Sequence, residues 1–128
     1  MKLNSDGSAL GSQGRAGGGG VIRNHEGAWI QGYARALGNT NSIIAELWML
    51  RDGLNLAMEL RLNNLIIELD VLSAVTLMNN DSENLLMEPL LTDCRNLLKA
   101  IPNKRTLNFR FFRHRSPRAL PRPWSSTP

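Results

Sequence analysis

The chain has 128 residues, 42% of them hydrophobic and 20% charged, which suits one globular domain with its own core. Its apolar runs are too short for a membrane span, its start is too polar for a secretory signal, and its single cysteine, Cys94, excludes an internal disulfide. The net charge of +4 is uneven, because every acid lies before residue 104 and the sequence from Lys104 onward is strongly basic.

These features predict an intracellular protein in a reducing compartment, either the nucleus or the cytoplasm. We expect no membrane partner and, by default, a monomer. The basic end is typical either of a solvated terminus or of an arm that binds nucleic acid, and charge alone leaves both open.

The first forty residues predict an antiparallel meander of three strands. Residues 1–6 form an extended run that ends at Asp6, before a glycine. A glycine-rich connection over residues 10–20 leads to a hairpin with the turn NHEG, residues 24–27. We expect Trp29, on the return strand, to lie in the core.

From Asn39 the pattern changes to that of an amphipathic helix. Ser42 is the expected N-cap, and Glu46 lies about one turn into the helix. Gly53 weakens the helix, so we expect it to serve a close approach to a neighbouring strand. Apolar residues recur at steps of three and four: Ile44, Leu47, Leu50, Leu54, Met58 and Leu62.

The second half predicts strands separated by helices. An almost continuously apolar strand ends at Asp70, a short helix follows over residues 71–80, and a helical segment over 83–101 is interrupted near Pro89. A last strand is expected over residues 104–113. Crossover helices imply parallel pairing, so the sequence predicts an α/β domain with a mixed sheet.

Three carboxylates stand near the ends of these elements. In a sheet whose first and fourth strands are parallel neighbours, Asp6 and Asp70 would lie side by side, and Glu46 could point at the same edge. Each has a plain alternative as a turn, strand-end or helix-start residue. Clustered carboxylates repel one another unless a hard divalent cation neutralises them, so their convergence would favour Mg²⁺ or Mn²⁺.

Four segments carry a resemblance to a known family: KLNSDGSALGSQGRAGGGGVIRNHEG, AELWMLRDGLNLAMEL, LIIELD and LLTDCRNLL. The sequence resembles the ribonuclease H-type domain of plant proteins related to retroelement reverse transcriptases. The resemblance implies a ribonuclease H-like fold: a five-stranded mixed sheet, its first three strands antiparallel, with helices packed on it. It also implies a hydrolase, an endonuclease that uses Mg²⁺ or Mn²⁺ to cleave the RNA strand of an RNA–DNA hybrid. Asp6, Glu46 and Asp70 match the family's first three catalytic, metal-binding carboxylates.

The match fades at about residue 113, which predicts a domain over residues 1–113 and an irregular basic tail over 114–128. The family carries a fourth carboxylate on a helix soon after the last strand, whereas here no Asp or Glu follows Asp93. We therefore expect activity well below the family norm. Two alternatives remain open: a catalytically degenerate domain that still binds nucleic acid, and a non-catalytic interaction domain or gene fragment.

Recognition of a hybrid in this family depends on shape and on 2′-hydroxyl contacts. Polar residues near Asp6 and near the helix start are the candidate nucleic-acid contacts. These residues are Ser8, Gln13 and Asn41.

Overall fold

The computed structural model describes residues 1–10, 14–69, 71–78 and 87–107. The strands and helices in these residues follow one another in the order expected from the sequence. They are β1 (Lys2–Ala9), β2 (Arg15–Arg23), β3 (Trp29–Asn39), α1 (Ser42–Glu59), β4 (Asn64–Glu68), α2 (Val71–Met78), α3 (Glu88–Ala100) and β5 (Asn103–Leu107).

The five strands form one mixed sheet in the order β3-β2-β1-β4-β5. The first three strands are an antiparallel meander, and β4 pairs in parallel with both β1 and β5. The hairpin between β2 and β3 turns at Asn24, whose Oδ1 accepts hydrogen bonds from the backbone N–H groups of Glu26 and Ala28. The predicted five-stranded mixed sheet, with β1 and β4 as parallel neighbours, is confirmed.

Residues 15–20 of the glycine-rich stretch are part of a strand and not of the predicted connection. Residues 16–20 belong to β2 and pair with residues 5–9 of β1, so β1 continues to Ala9 and Asp6 lies inside the strand instead of at its end. The β-propensity of glycine is poor, which is why the sequence pattern indicated a loop. Close packing explains the choice, because a Cβ on Gly18 would lie 2.7 Å from the Met49 Cγ of α1.

The N-cap of α1 lies one residue earlier than expected. Asn41 is the N-cap, and its Oδ1 accepts a hydrogen bond of 2.8 Å from the N–H of Ile44, while Ser42 is the first helical residue. The apolar stripe of α1 is buried at Leu47, Leu50 and Leu54 but not at its last turn, where Met58 is 41% exposed.

One face of α1 rests on the meander through Tyr33 of β3. The Tyr33 hydroxyl donates a 2.7 Å hydrogen bond to the carbonyl of Met49. A Cβ on Gly53 would lie 2.5 Å from the Tyr33 Oη and 2.7 Å from the Leu3 Cδ1. The expectation that Gly53 allows a close approach to neighbouring strands is therefore confirmed.

A charged cluster joins α1 to β3 and α3 at the surface. Arg35 of β3 donates from Nε and Nη2 to both carboxylate oxygens of Asp52, at 2.8 and 3.1 Å. The Arg35 and Arg51 guanidinium groups lie 5.1 and 5.2 Å from the centre of the Trp48 ring, and Arg51 also pairs with Asp93 of α3. Trp29, in contrast, is 61% exposed, because it begins an edge strand before the part of β3 that α1 covers.

The core lies between the sheet and the helices. Its buried members include Leu3, Ile22, Leu91 and Cys94. Pro89 lies in the first turn of α3, where a missing N–H is harmless, and the part of the predicted helical segment before residue 87 lies outside the described residues. Among the described residues, no helix has the length and apolar character that crossing a bilayer requires.

Part of the predicted architecture lies outside the described residues. The end of the last strand beyond residue 107, the basic tail over 114–128 and the segment 79–86 belong to this part. The division into a domain over 1–113 and a tail therefore stays a prediction.

Candidate active site

The candidate site lies where β1 runs past the end of β4. The parallel ladder between the two strands pairs Lys2 with Ile66, Leu3 with Ile67 and Asn4 with Glu68. Asp6 follows two residues later, on the face of β1 opposite the buried Leu3 and Ser5, because side chains alternate along a strand. Asp6 is half-buried and pairs across the sheet with Gly19 of β2.

Glu46 is brought to the same part of β1 by the contact at Gly7. A Cβ on Gly7 would lie 2.5 Å from the backbone carbonyl group of Ala45 and 2.7 Å from the backbone N of Glu46. Such contacts leave no room for any side chain at position 7. The sequence Asp6-Gly7 therefore has a structural reason: the glycine admits α1, and the turn of α1 that it admits is the turn that carries Glu46.

The third predicted carboxylate, Asp70, lies outside the described residues. In the sequence it follows Glu68 by two residues, as Asp6 follows Asn4, and Asn4 and Glu68 are partners in the ladder. Among the residues that the structure describes, no three His, Cys, Asp or Glu side chains are grouped so that they could hold a metal ion. The described part of the site thus supplies two carboxylates, whose oxygens are the donor type that Mg²⁺ and Mn²⁺ prefer.

A carboxylate that sequence reasoning passed over lies in β4, the parallel neighbour of β1. Glu68 of β4 is 2% exposed, although the strand around it is apolar. Its Oε2 lies 3.0 Å from the Lys2 Nζ, and its Oε1 accepts a hydrogen bond from the Asn4 Nδ2. The available signal was a single charged residue within an otherwise apolar strand, since such a residue is buried only with partners.

The candidate nucleic-acid contacts lie in three different settings. Ser8 is exposed on β1, on the same face as Asp6 and two residues further along. Asn41 is half-buried and uses its Oδ1 to cap α1. Gln13 lies outside the described residues. The structure therefore places Ser8 and Asn41 at the strand and the helix start that carry Asp6 and Glu46.

Comparison with known proteins agrees with this architecture. A family model described as reverse transcriptase-like matches residues 4–111. A protein of Arabidopsis thaliana named as a ribonuclease H protein is 37% identical over 70 residues, and the match spans 55% of this chain but only 11% of that protein.

Solved structures show the same fold at low sequence identity. Ribonuclease H1 of the halophilic archaeon Halobacterium salinarum superimposes with a TM-score of 0.76 at 19% identity, over 84% of this chain and 83% of that chain. LC11 ribonuclease H1, isolated from compost by a metagenomic approach and solved in complex with an RNA/DNA hybrid, has a TM-score of 0.71 at 21% identity, over 84% and 83% of the two chains. With its sheet order, its helices and the matched family model, the chain belongs to the reverse transcriptase-like family, and its domain is of the ribonuclease H type.

Proposed function

We propose that this domain is a divalent-metal-dependent ribonuclease that cleaves the RNA strand of an RNA–DNA hybrid. The observation that supports the proposal is the contact at Gly7, where the turn of α1 that carries Glu46 packs against β1 one residue after Asp6, in a domain of the ribonuclease H type. The hybrid bound by the LC11 relative supports the choice of substrate class.

Asp6, Glu46 and Asp70 would hold the metal. Their carboxylates form an all-oxygen donor set, which suits Mg²⁺ or Mn²⁺ better than zinc. When bound, a pair of such ions supplies an activated water and stabilisation of the leaving oxygen. The chain itself contributes the rigid placement of the donors, since Asp6 lies inside a paired strand and Glu46 on a packed helix.

Ser8, Gln13 and Asn41 would contact the sugar and phosphate groups of the hybrid. Ser8 is exposed beside Asp6 and can donate or accept at a 2′-hydroxyl. The Asn41 Oδ1 caps α1, which leaves the Nδ2 group of the same side chain as the donor toward a ligand.

Reduced activity is part of the proposal. Residues 94–128 contain no Asp or Glu, so they offer no carboxylate in the position where the family carries its fourth. A metal ion with fewer anionic oxygen ligands binds more weakly, and the degenerate nucleic-acid binder is accordingly the second candidate function. The basic residues from Lys104 onward favour binding of a polyanion even without cleavage.

The test is cleavage of a labelled RNA–DNA hybrid in Mg²⁺ and in Mn²⁺. We expect slow cleavage that Asp6→Asn and Asp70→Asn each lower by about 100-fold or more, because each variant removes metal-dependent stabilisation worth several kcal/mol. Glu26→Gln is the matched control. Glu26 is exposed in the turn between β2 and β3, and it lies on neither of the elements that carry Asp6 and Glu46.

Three outcomes separate the candidates. Cleavage that is lost in Asp70→Asn but kept in Glu26→Gln supports the nuclease. Turnover at the ordinary family rate contradicts the proposed impairment. Salt-sensitive hybrid binding by a folded sample that does not cleave supports the degenerate binder.

A further inference from the structure

The buried carboxylate of Glu68 has no role in the proposed chemistry, yet it is fully partnered. The Lys2 ammonium and the Asn4 amide, both from β1, each take one of its oxygens. We call Lys2, Asn4 and Glu68 the bridging cluster. These contacts join β1 to β4, and Asn4 is also the ladder partner of Glu68.

Glu68 does not replace the fourth carboxylate in this arrangement. Both of its oxygens are engaged, one by a cation and one by an amide donor. A metal ion would have to displace the ammonium and the amide at once, from a side chain that is 2% exposed. The bridging cluster therefore does not bind the metal itself. Any effect that it has on the metal site must come from how it holds β1 against β4.

We propose that the bridging cluster positions Asp6 by locking the register of β1 against β4, an inference that rests on the proposed nuclease function. The parallel ladder has three residue pairs, and Asp6 follows the last of them by two positions. A slip of one residue would turn Asp6 to the other face of the sheet. It would also change which residue of β1 stands opposite the end of β4.

The ion pair of the bridging cluster is better suited to define the alignment of β1 with β4 than to add stability. The ion pair is only half buried, since the Lys2 side chain is 42% exposed and that of Glu68 2%, so it adds little stability, but it requires the two side chains to stand within reach of each other. Strand β4 carries apolar residues at consecutive positions, Leu65, Ile66 and Ile67, so it lacks the alternation of apolar and polar residues that sets the register of a strand with one buried face. The charged pair and its amide partner supply that definition.

The test compares Lys2→Met/Glu68→Met with the wild type. Neither charge is left alone in the double variant, so we expect its melting temperature to stay within a few degrees. We expect Mn²⁺ affinity to fall about tenfold, as for other residues that orient metal ligands, and kcat to fall while the KM for the hybrid is unchanged. The amide of Ile66, which donates to the Met1 carbonyl at 2.9 Å, should exchange with solvent about tenfold faster.

Arg35→Met/Asp52→Met is the matched control. It removes an ion pair of 2.8 Å that joins β3 to α1, away from the β1–β4 ladder. We expect Mn²⁺ affinity and Ile66 exchange in this control to stay within about twofold of the wild type, because surface ion pairs contribute little. Equal effects of the two double variants would mean general loosening and would overturn the proposal.

Two further results make the test decisive. A stable Lys2→Met/Glu68→Met variant with wild-type Mn²⁺ affinity and wild-type exchange at Ile66 overturns the positioning role. If that variant does not fold, Asn4→Ala keeps the ion pair and decides the question by the same two readouts. A wild type that neither binds Mn²⁺ nor cleaves contradicts the proposed function, whereas exchange at Ile66 still reports on the register.

Discussion

Tyr33 and Gly53 are in contact, and the presence of the Tyr33 side chain leaves no space for a side chain at position 53. The tyrosine crosses β2 over Gly20, where a Cβ would lie 2.3 Å from the Tyr33 Oη, and ends against α1. Its hydroxyl donates to the Met49 carbonyl at the same place where Gly53 lacks a side chain. The lack of side chains at Gly20 and Gly53 therefore leaves the space that the Tyr33 ring and its hydrogen bond occupy.

This contact predicts non-additive stability changes. Tyr33→Phe should cost about 1 kcal/mol by loss of the hydrogen bond to Met49. Gly53→Ala should cost about 1–2 kcal/mol, since crowding outweighs a helix-propensity gain of about 1 kcal/mol. Combined, the two should cost less than their sum by at least about 0.5 kcal/mol, because removal of the hydroxyl makes room for the new methyl group. Urea unfolding of the four proteins measures the coupling, and additive values would contradict the assigned contact.

Helix α1 is the element on which both the fold and the candidate site depend. Its first turns descend onto Gly7 of β1 and Gly18 of β2, which carries Glu46 to the strand of Asp6. Its start is fixed by Asn41, whose side chain accepts a hydrogen bond from the N–H of Ile44. The cap therefore contributes both to helix stability and to the placement of a proposed metal ligand.

Variants at the cap separate these two contributions. Asn41→Ala should lower the free energy of unfolding by about 1 kcal/mol, and Asn41→Ser should restore most of it because serine caps equally well. If the Asn41 amide also contacts the hybrid, as proposed, Asn41→Ser should still bind the hybrid more weakly than the wild type. Ser42→Ala is the control and should change stability little. Wild-type hybrid affinity in Asn41→Ser would remove Asn41 from the proposed interface.

At the scale of the whole molecule, Cys94 reports on the closure of the core. The thiol lies between α3 and α1, with its Sγ 3.6 Å from the Leu47 carbonyl, and is fully buried. Burial raises the pKa of Cys94 from 9.0 to about 12, since the thiolate would lose its hydration. The native fold therefore holds a proton that the unfolded chain releases in alkaline solution.

Stability should consequently fall in alkali. Below pH 9 the thiol is protonated in both the folded and the unfolded state, so Cys94 gives the free energy of unfolding no pH dependence there. Between pH 9 and about 12 the unfolded state binds fewer protons than the folded state. The free energy of unfolding therefore declines by roughly 1 kcal/mol per pH unit in this range. Denaturation midpoints measured from pH 8 to 11 should decline more steeply for the wild type than for Cys94→Ala. A thiol reagent should label Cys94 only on unfolding. Parallel pH profiles for the two proteins, or rapid labelling of the native protein, would contradict a closed core.

Much of the architecture could be predicted because its signals are local. The three-to-four spacing of Leu47, Leu50 and Leu54 is enough to predict α1, and the resemblance supplied the sheet. The errors fall where tertiary contacts override local preference. The glycines of β2 resemble a loop until α1 is packed on them, and Trp29 resembles a core residue until β3 is known to be an edge strand.

The candidate site was predictable only in part, for the same reason. The expected approach of the start of α1 to β1 is seen at Gly7, whereas the expected position of Asp6 at a strand end was wrong. The role of Gly7 and the burial of Glu68 depend on which elements face each other across the sheet, and no spacing along the chain contains that information.

The central position of β1 has a consequence for how the protein is made. Strands β1 to β3 and helix α1 are contiguous in the sequence, so their contacts can form while the chain is still being synthesised. Glu68 lies 64 residues after its partner Asn4, and the β1–β4 ladder must wait for it. During that interval the nascent chain exposes one edge of its central strand, the edge most able to pair with a foreign strand. Rapid addition of β4 would thus protect the newborn chain from aggregation at the same moment that it completes the surroundings of Asp6.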